Sequence, residues 1–163
     1  MRNFKFYTLS LLLVSVLFLS LSSCKKCKLE GENVDGGVIN SEVAVYPDHG
    51  YITQDLAGPI THIHGNSPVA DKFDMSTDNG FTRSPVNYSQ YSIMAFPLTL
   101  NCNHFLNREV KVDDLNGTVT YNITVTQCKD AQCSQQRYIE NYVVIPAIPE
   151  SYAVLGTVKY VEQ

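Results

Sequence analysis

Apolar and polar residues alternate along most of the chain after residue 37, and this period-2 pattern predicts β-strands. The clearest alternation covers residues 117–127, where every second residue is apolar and the residues between them are threonines and an asparagine. The apolar positions are Val119, Tyr121, Ile123 and Val125. This pattern predicts a strand with one face on a core and the other in water. The preceding Asn116–Gly117 pair predicts a tight turn from a strand at residues 108–113.

The other alternating runs complete an all-β prediction, since a helical period is convincing nowhere in the chain. Further strands are predicted at residues 38–46, 51–54, 60–64, 91–100, 135–145 and 152–161. The strand at 135–145 is expected to form a hairpin with that at 117–127, and Pro97 suggests an edge or bulge position. Seven to nine strands predict an antiparallel two-sheet sandwich, immunoglobulin-like in strand count, over residues 38–163. The polar stretch at 65–90 is expected to fold over one sheet end or edge.

The first 23 residues have the pattern of a secretory signal peptide. Arg2 and Lys5 form a short positive region, and residues 9–21 are apolar apart from three serines. This run of 13 residues fits a signal sequence and is shorter than the roughly 18 residues of a membrane-spanning helix. Residues 1–23 are therefore predicted to be removed from the mature protein.

The end of this signal, Leu21-Ser22-Ser23-Cys24, resembles the lipobox of bacterial lipoproteins. The resemblance implies diacylation of the Cys24 thiol, cleavage before Cys24 and attachment to a membrane through the lipid. Two acyl chains are sufficient for stable anchoring. The resemblance also favours the outer membrane, because Lys25 stands where some bacteria place an Asp that retains lipoproteins in the inner membrane. It does not indicate which face of the membrane the protein occupies. Residues 24–37, which are polar and contain glycines, are predicted to be a flexible tether.

Charge argues against a nucleic-acid partner. Removal of residues 1–23 takes Arg2 and Lys5 from the 12 basic side chains and none from the 16 acidic ones, which leaves a net charge of −6. Apart from lysines in the tether, the basic residues are scattered rather than clustered on a stripe.

The cysteine count suggests an oxidising compartment. Once Cys24 is lipidated, four cysteines remain, and an even number in an exported chain predicts disulfides. Cys128 and Cys133 flank a four-residue loop between two predicted strands, so a disulfide between them is expected. Cys102 is predicted either to pair with Cys27 or to be a buried free thiol.

The one arrangement with metal-ligand spacing is Thr61-His62-Ile63-His64. Two histidines in alternate positions of a strand face the same side, as two ligands of one Zn²⁺ or Cu²⁺ ion would. His49 becomes a third candidate if a four-residue loop at 55–58 closes a hairpin. The alternative is that the two histidines bind no metal and are a structural or solvent-facing pair.

These observations predict a lipid-anchored protein of the cell envelope that acts as a binding or structural-interaction module, with a protein or glycan partner and no cofactor. The first alternative is a metal-binding protein using His62 and His64. The second is a glycan-acting hydrolase, although the adjacent Asp113 and Asp114 sit beside a predicted turn, where solvated carboxylates are common.

Overall fold

The structure, a computed structural model, describes residues 29–48, 60–78, 80–100, 104–128, 137–139 and 141–163. This part of the chain forms twelve β-strands and a short 3-10 turn at Ala70–Lys72. The strands are β1 (Val34–Gly37), β2 (Ala44–Pro47), β3 (Thr61–Ile63), β4 (Phe73–Ser76), β5 (Ser84–Pro85), β6 (Tyr91–Ala95), β7 (Leu98–Leu100), β8 (His104–Asp113), β9 (Thr118–Gln127), β10 (Arg137–Ile139), β11 (Tyr142–Pro146) and β12 (Ala153–Glu162). None of the described residues belongs to a helix long and apolar enough to cross a membrane.

The strands form several packed sheets, and the predicted all-β sandwich is confirmed. The largest sheet has the order β1-β8-β9-β12. Smaller sheets have the orders β11-β6-β3, β2-β4-β5 and β10-β7. The strand count is higher than the predicted seven to nine for two reasons. Two long predicted strands are each interrupted, 91–100 between β6 and β7 and 135–145 between β10 and β11, and β1, β4 and β5 lie where no strand was predicted.

Strand β9 has the predicted alternation and lies in the middle of the largest sheet. Val119, Tyr121 and Val125 are fully buried and Ile123 is 1% exposed, whereas the threonines between them are half-buried on the other face. The buried side chains pack against β6, β7 and β11 in the main core. The predicted turn from β8 is confirmed, with Gly117 at φ +59° and Asp113 paired with Thr118.

The neighbours of β9 differ from the prediction. One edge of β9 pairs with β8 in the expected antiparallel sense, and the other pairs with β12 in a parallel sense. The predicted hairpin between β9 and residues 135–145 is therefore wrong, because β12 occupies that edge while β10 and β11 pair with β7 and β6. After β9 the chain passes to a second layer, the β10-β7 and β11-β6-β3 sheets that pack on the largest sheet. It returns through residues 147–152, so β12 enters the largest sheet parallel to β9.

The folded domain begins before the predicted boundary at residue 38. Residues 34–37, the last four of the predicted tether, form β1 and pair in parallel with β8. Just before β1, the Asn33 side-chain oxygen accepts a 2.8 Å hydrogen bond from the Leu106 backbone N–H. Gly37, at φ +70°, then turns the chain toward the second layer, where the Asn40 N–H donates to the Val144 carbonyl at 2.8 Å. This segment is thus part of the sandwich.

The polar stretch at 65–90 supplies β4, which pairs with β2, and β5, which pairs with β4. Phe73 and Val86 are buried in a second core together with Ile63 and Ile93. The stretch therefore contributes a small sheet and its own packing, and is not only a loop over a sheet edge.

Candidate functional site

His62 and His64 lie on one side of the chain at the end of β3, as the alternation predicts. Between them, the fully buried Ile63 pairs with Ile93 of β6 and points into the second core. The two imidazole rings consequently emerge on the opposite face of β3, with centroids 5.2 Å apart and planes inclined at 48°.

Glu150 joins this histidine pair from a distant part of the sequence. It lies in the 147–152 loop that connects β11 to β12, and its Oε1 is 3.1 Å from His64 Nδ1. The side-chain amide of Asn66 also donates to Oε1. The side chain of His64 is 23% exposed and that of Glu150 is 49% exposed, so the carboxylate closes the solvent side of the cluster. No signal in the sequence pointed to Glu150, because only the fold brings the two loops together.

Two ring nitrogens of the cluster are buried without a hydrogen-bond partner among the described residues, namely His62 Nε2 and His64 Nδ1. The 3.1 Å contact from Nδ1 to Glu150 is short enough for a hydrogen bond but is not aligned as one. Burial is the main cause that lowers the pKa of His62, and the neighbouring His64 lowers it further, while Glu150 acts in the opposite direction. The neutral form of His62 is therefore favoured.

Among the described residues the one other histidine, His104, is not part of this cluster. His49 lies outside the described residues, so the predicted three-histidine hairpin stays a prediction. His104 is the first residue of β8 and pairs with Gln127 in the largest sheet. Across the described parts of the chain, no three His, Cys, Asp or Glu side chains are already grouped as a metal site.

A second polar cluster lies between the two layers, around Arg108 on the inner face of β8. Its guanidinium binds Asp35 of β1 through two contacts, Nε to Oδ1 at 2.6 Å and Nη2 to Oδ2 at 2.7 Å. Nη1 donates to Asn141 Oδ1 at 3.2 Å, and the Asn141 amide donates to the Tyr121 hydroxyl at 2.9 Å. Burial raises the pKa of Tyr121, which keeps that hydroxyl neutral.

This second cluster borders a cavity of about 260 Å³ that is also lined by Ile39, Asn40 and Tyr142. The charge of Arg108 is already matched by Asp35 and its remaining donors are directed to Asn141 and to the Tyr142 carbonyl. Arg108 therefore connects the layers and has little capacity left for an anionic ligand.

Of the cysteines predicted to form disulfides, the structure describes Cys128 alone. It follows β9, is 2% exposed and is disulfide-bonded. Cys27, Cys102 and Cys133 lie outside the described residues, as does the lipidation candidate Cys24, so the partner of Cys128 stays a prediction.

The carboxylates of Asp113 and Asp114 stabilise the β8–β9 turn. Asp113 Oδ1 accepts hydrogen bonds from the N–H groups of Leu115 and Asn116, each at 3.1 Å. Asp114 accepts a 2.8 Å hydrogen bond from the Tyr152 hydroxyl. These contacts support the interpretation of both as turn residues. They leave the hydrolase alternative without a site in this turn.

Comparison with known proteins adds no family: no protein-family model, no curated protein and no solved structure matches this chain.

Proposed function

We propose that the protein is a lipid-anchored lipoprotein of the bacterial cell envelope that acts as a binding or structural-interaction module. The observation that carries the proposal is the sequence Leu21-Ser22-Ser23-Cys24 directly behind a positive region and an apolar run. Acyl chains on Cys24 would hold the mature chain on a membrane while the β-sandwich stays in water. The absence of a lysine or arginine stripe favours a protein or glycan partner over nucleic acid.

The free edge of β12 offers the surface for such a partner. Among the described strands β12 pairs only with β9, and its ten residues form one edge of the largest sheet. The Ala153 N–H donates to the Gly117 carbonyl, and the Gln163 N–H donates to the Gln127 carbonyl. The odd-numbered residues of β12 therefore direct their N–H and C=O groups toward β9. The even-numbered residues therefore direct their N–H and C=O groups away from the sheet, available to an added strand.

The occupant that fits this edge best is an extended segment of another protein. Leu155 and Tyr160 are each 52% exposed on β12, so apolar side chains of an added strand would gain contacts there. Lys159, also exposed, would pair with an acidic residue of that segment.

A second copy of the chain is a poorer occupant. Val34 of β1 lies beside Asn107 near the start of β8, at the same sheet end as Glu162 of β12. A symmetric antiparallel pair of β12 strands would place the two tethers at opposite ends of the joined sheet. The two tethers would then have to bridge the length of the sheet to insert side by side in one membrane, which disfavours this arrangement.

Replacement of Cys24 by Ala tests the anchor. We expect the variant to lose incorporation of labelled palmitate and to leave the mature membrane fraction, because no thiol remains to be acylated. Cys27→Ala is the matched control, since it removes a cysteine three residues further on and should leave labelling unchanged. Palmitate incorporation into the Cys24→Ala protein would refute the proposed anchoring.

A photo-crosslinking side chain at position 160 tests the edge, with the same group at the more exposed position 81 as the control. From position 160 we expect a discrete adduct with an extended segment of one protein. That segment, once purified, should bind the wild-type protein but not the Tyr160→Pro variant. An adduct of twice the protein's own mass would identify a second copy instead. Equal crosslinking from both positions would refute specific docking on β12.

A further inference from the structure

We propose that His62, His64 and Glu150 bind a divalent transition-metal ion, with Zn²⁺ and Cu²⁺ as the best candidates. The first support is the pair of buried ring nitrogens, His62 Nε2 and His64 Nδ1, for which the described residues offer no hydrogen-bond partner. Buried polar atoms are nearly always paired in folded proteins, and an unpaired one calls for an explanation such as a bound ion. Two of them on adjacent rings, beside a carboxylate, point to the same ion.

The separations of His64 from His62 and from Glu150 agree with shared coordination. With Zn–N bonds of about 2.1 Å and tetrahedral angles, two imidazoles on one ion have ring centroids about 5 Å apart. The centroids of His62 and His64 are 5.2 Å apart. By the same geometry a ligating nitrogen and oxygen lie about 3.3 Å apart, and His64 Nδ1 is 3.1 Å from Glu150 Oε1. Among the described residues the three side chains do not yet form a group that could hold an ion. Coordination therefore requires them to rotate toward one another, with water as the fourth ligand.

The surroundings allow an ion to enter and to be held. Glu150 is half exposed, so an ion can reach its carboxylate from water. The Asn66 amide binds the Glu150 carboxylate and fixes it over the histidines, which is the role of an outer hydrogen bond to a ligand. Two imidazoles and one carboxylate suit Zn²⁺ or Cu²⁺ better than Mg²⁺ or Ca²⁺, which prefer oxygen ligands alone.

Titration of the purified mature protein with Zn²⁺ alone, in detergent if it carries a lipid, tests the site by calorimetry and by thermal melting. His64→Gln and Glu150→Gln remove one ligand each at partly exposed positions, and His104→Gln is the matched control in another sheet. Melting in EDTA establishes that each variant is folded. We expect one Zn²⁺ per chain, a higher melting temperature with Zn²⁺ for the wild type and His104→Gln, and affinity weaker by about tenfold or more in the two ligand variants.

Each other outcome overturns the assignment. If the wild-type protein takes up no Zn²⁺, bound water and not a metal ion is the partner of the two ring nitrogens. Zn²⁺ binding that persists unchanged in His64→Gln assigns the ion to other side chains, such as the cysteines. Unchanged affinity in Glu150→Gln removes the carboxylate from the ligand set. None of these results depends on the anchoring at Cys24 or on a partner at β12, so the metal site and the proposed function fail or stand separately.

Discussion

Replacing Asp35 by Asn should destabilise the protein far more than a change in a flexible tether would. Asp35 binds the Arg108 guanidinium through both carboxylate oxygens, at 2.6 and 2.7 Å. The two side chains are only 19% and 22% exposed. An asparagine keeps the size of the side chain but removes the negative charge, so the guanidinium would stay between the layers without its counter-ion.

The expected loss follows from the geometry and the exposure. Removing one partner of a fully buried ion pair typically costs about 3–5 kcal/mol, because an uncompensated charge stays buried. Both side chains here retain about one fifth of their exposure, and water reaching them reduces the penalty. We therefore expect the free energy of unfolding to fall by about 2–3 kcal/mol.

Urea denaturation of the unlipidated chain, followed by circular dichroism, measures this difference. The matched control is Asp71→Asn, which removes the same charge from an exposed pair: Asp71 is 71% exposed and lies 3.0 Å from Lys72. Exposed pairs contribute roughly 0–1 kcal/mol, so the control should differ little from the wild type. If Asp35→Asn also lay within about 0.5 kcal/mol of the wild type, residues 34–37 would not be an integral strand and the connection between the layers would not depend on Arg108.

Two further predictions test the edge strands of the same sheet. Gly37→Ala should lower the free energy of unfolding by about 2–4 kcal/mol, because Gly37 has φ +70° and an added Cβ would lie 1.9 Å from a β8 carbonyl oxygen. Gly36→Ala is the control in the same urea experiment. Its added Cβ would lie 3.8 Å from the nearest atom, so the loss should be under about 1 kcal/mol. In β12, Lys159→Pro should lower the unfolding free energy by roughly 1–3 kcal/mol more than Tyr160→Pro, because only the former removes an N–H that bonds to β9. Equal losses in the two proline variants would contradict the assigned hydrogen-bond directions.

The sequence predicted which face of a strand is buried, but not which strands pair with one another. In β9, alternation alone identified the side that is buried, and the Asn116–Gly117 turn fixed the pairing with β8. Alternation says nothing about which strand lies on the far edge, since parallel and antiparallel partners present the same period of two. A hairpin is the shortest connection between consecutive strands, yet here the chain crosses to the second layer before β12 returns to pair with β9.

The same limit explains what was missed in the two polar clusters. His62 and His64 were identified because ligand spacing within one strand is visible in the sequence, and their rings do lie side by side. Glu150 and Asp35 were not identified, because each meets its partner only through tertiary structure. The glycines after Asp35 have the composition of a linker, but they also allow a strand to lie close to β8 and then turn sharply.

Strand directions place the proposed metal site at the end of the domain opposite the tether. The chain enters at Val34, beside Asn107 near the start of β8, whereas the 147–152 loop leads into β12 at Ala153, beside Thr118. Because β8 and β9 are antiparallel, with Asp113 opposite Thr118, these two points lie at opposite ends of the largest sheet. If Cys24 carries the anchor, the cluster that contains Glu150 lies at the end of the domain far from the tether, where it can remain accessible to dissolved ions. An anchored domain in this orientation would leave the edge of β12 running from its outer end toward the membrane, so a partner strand could bind along it without displacing the metal cluster.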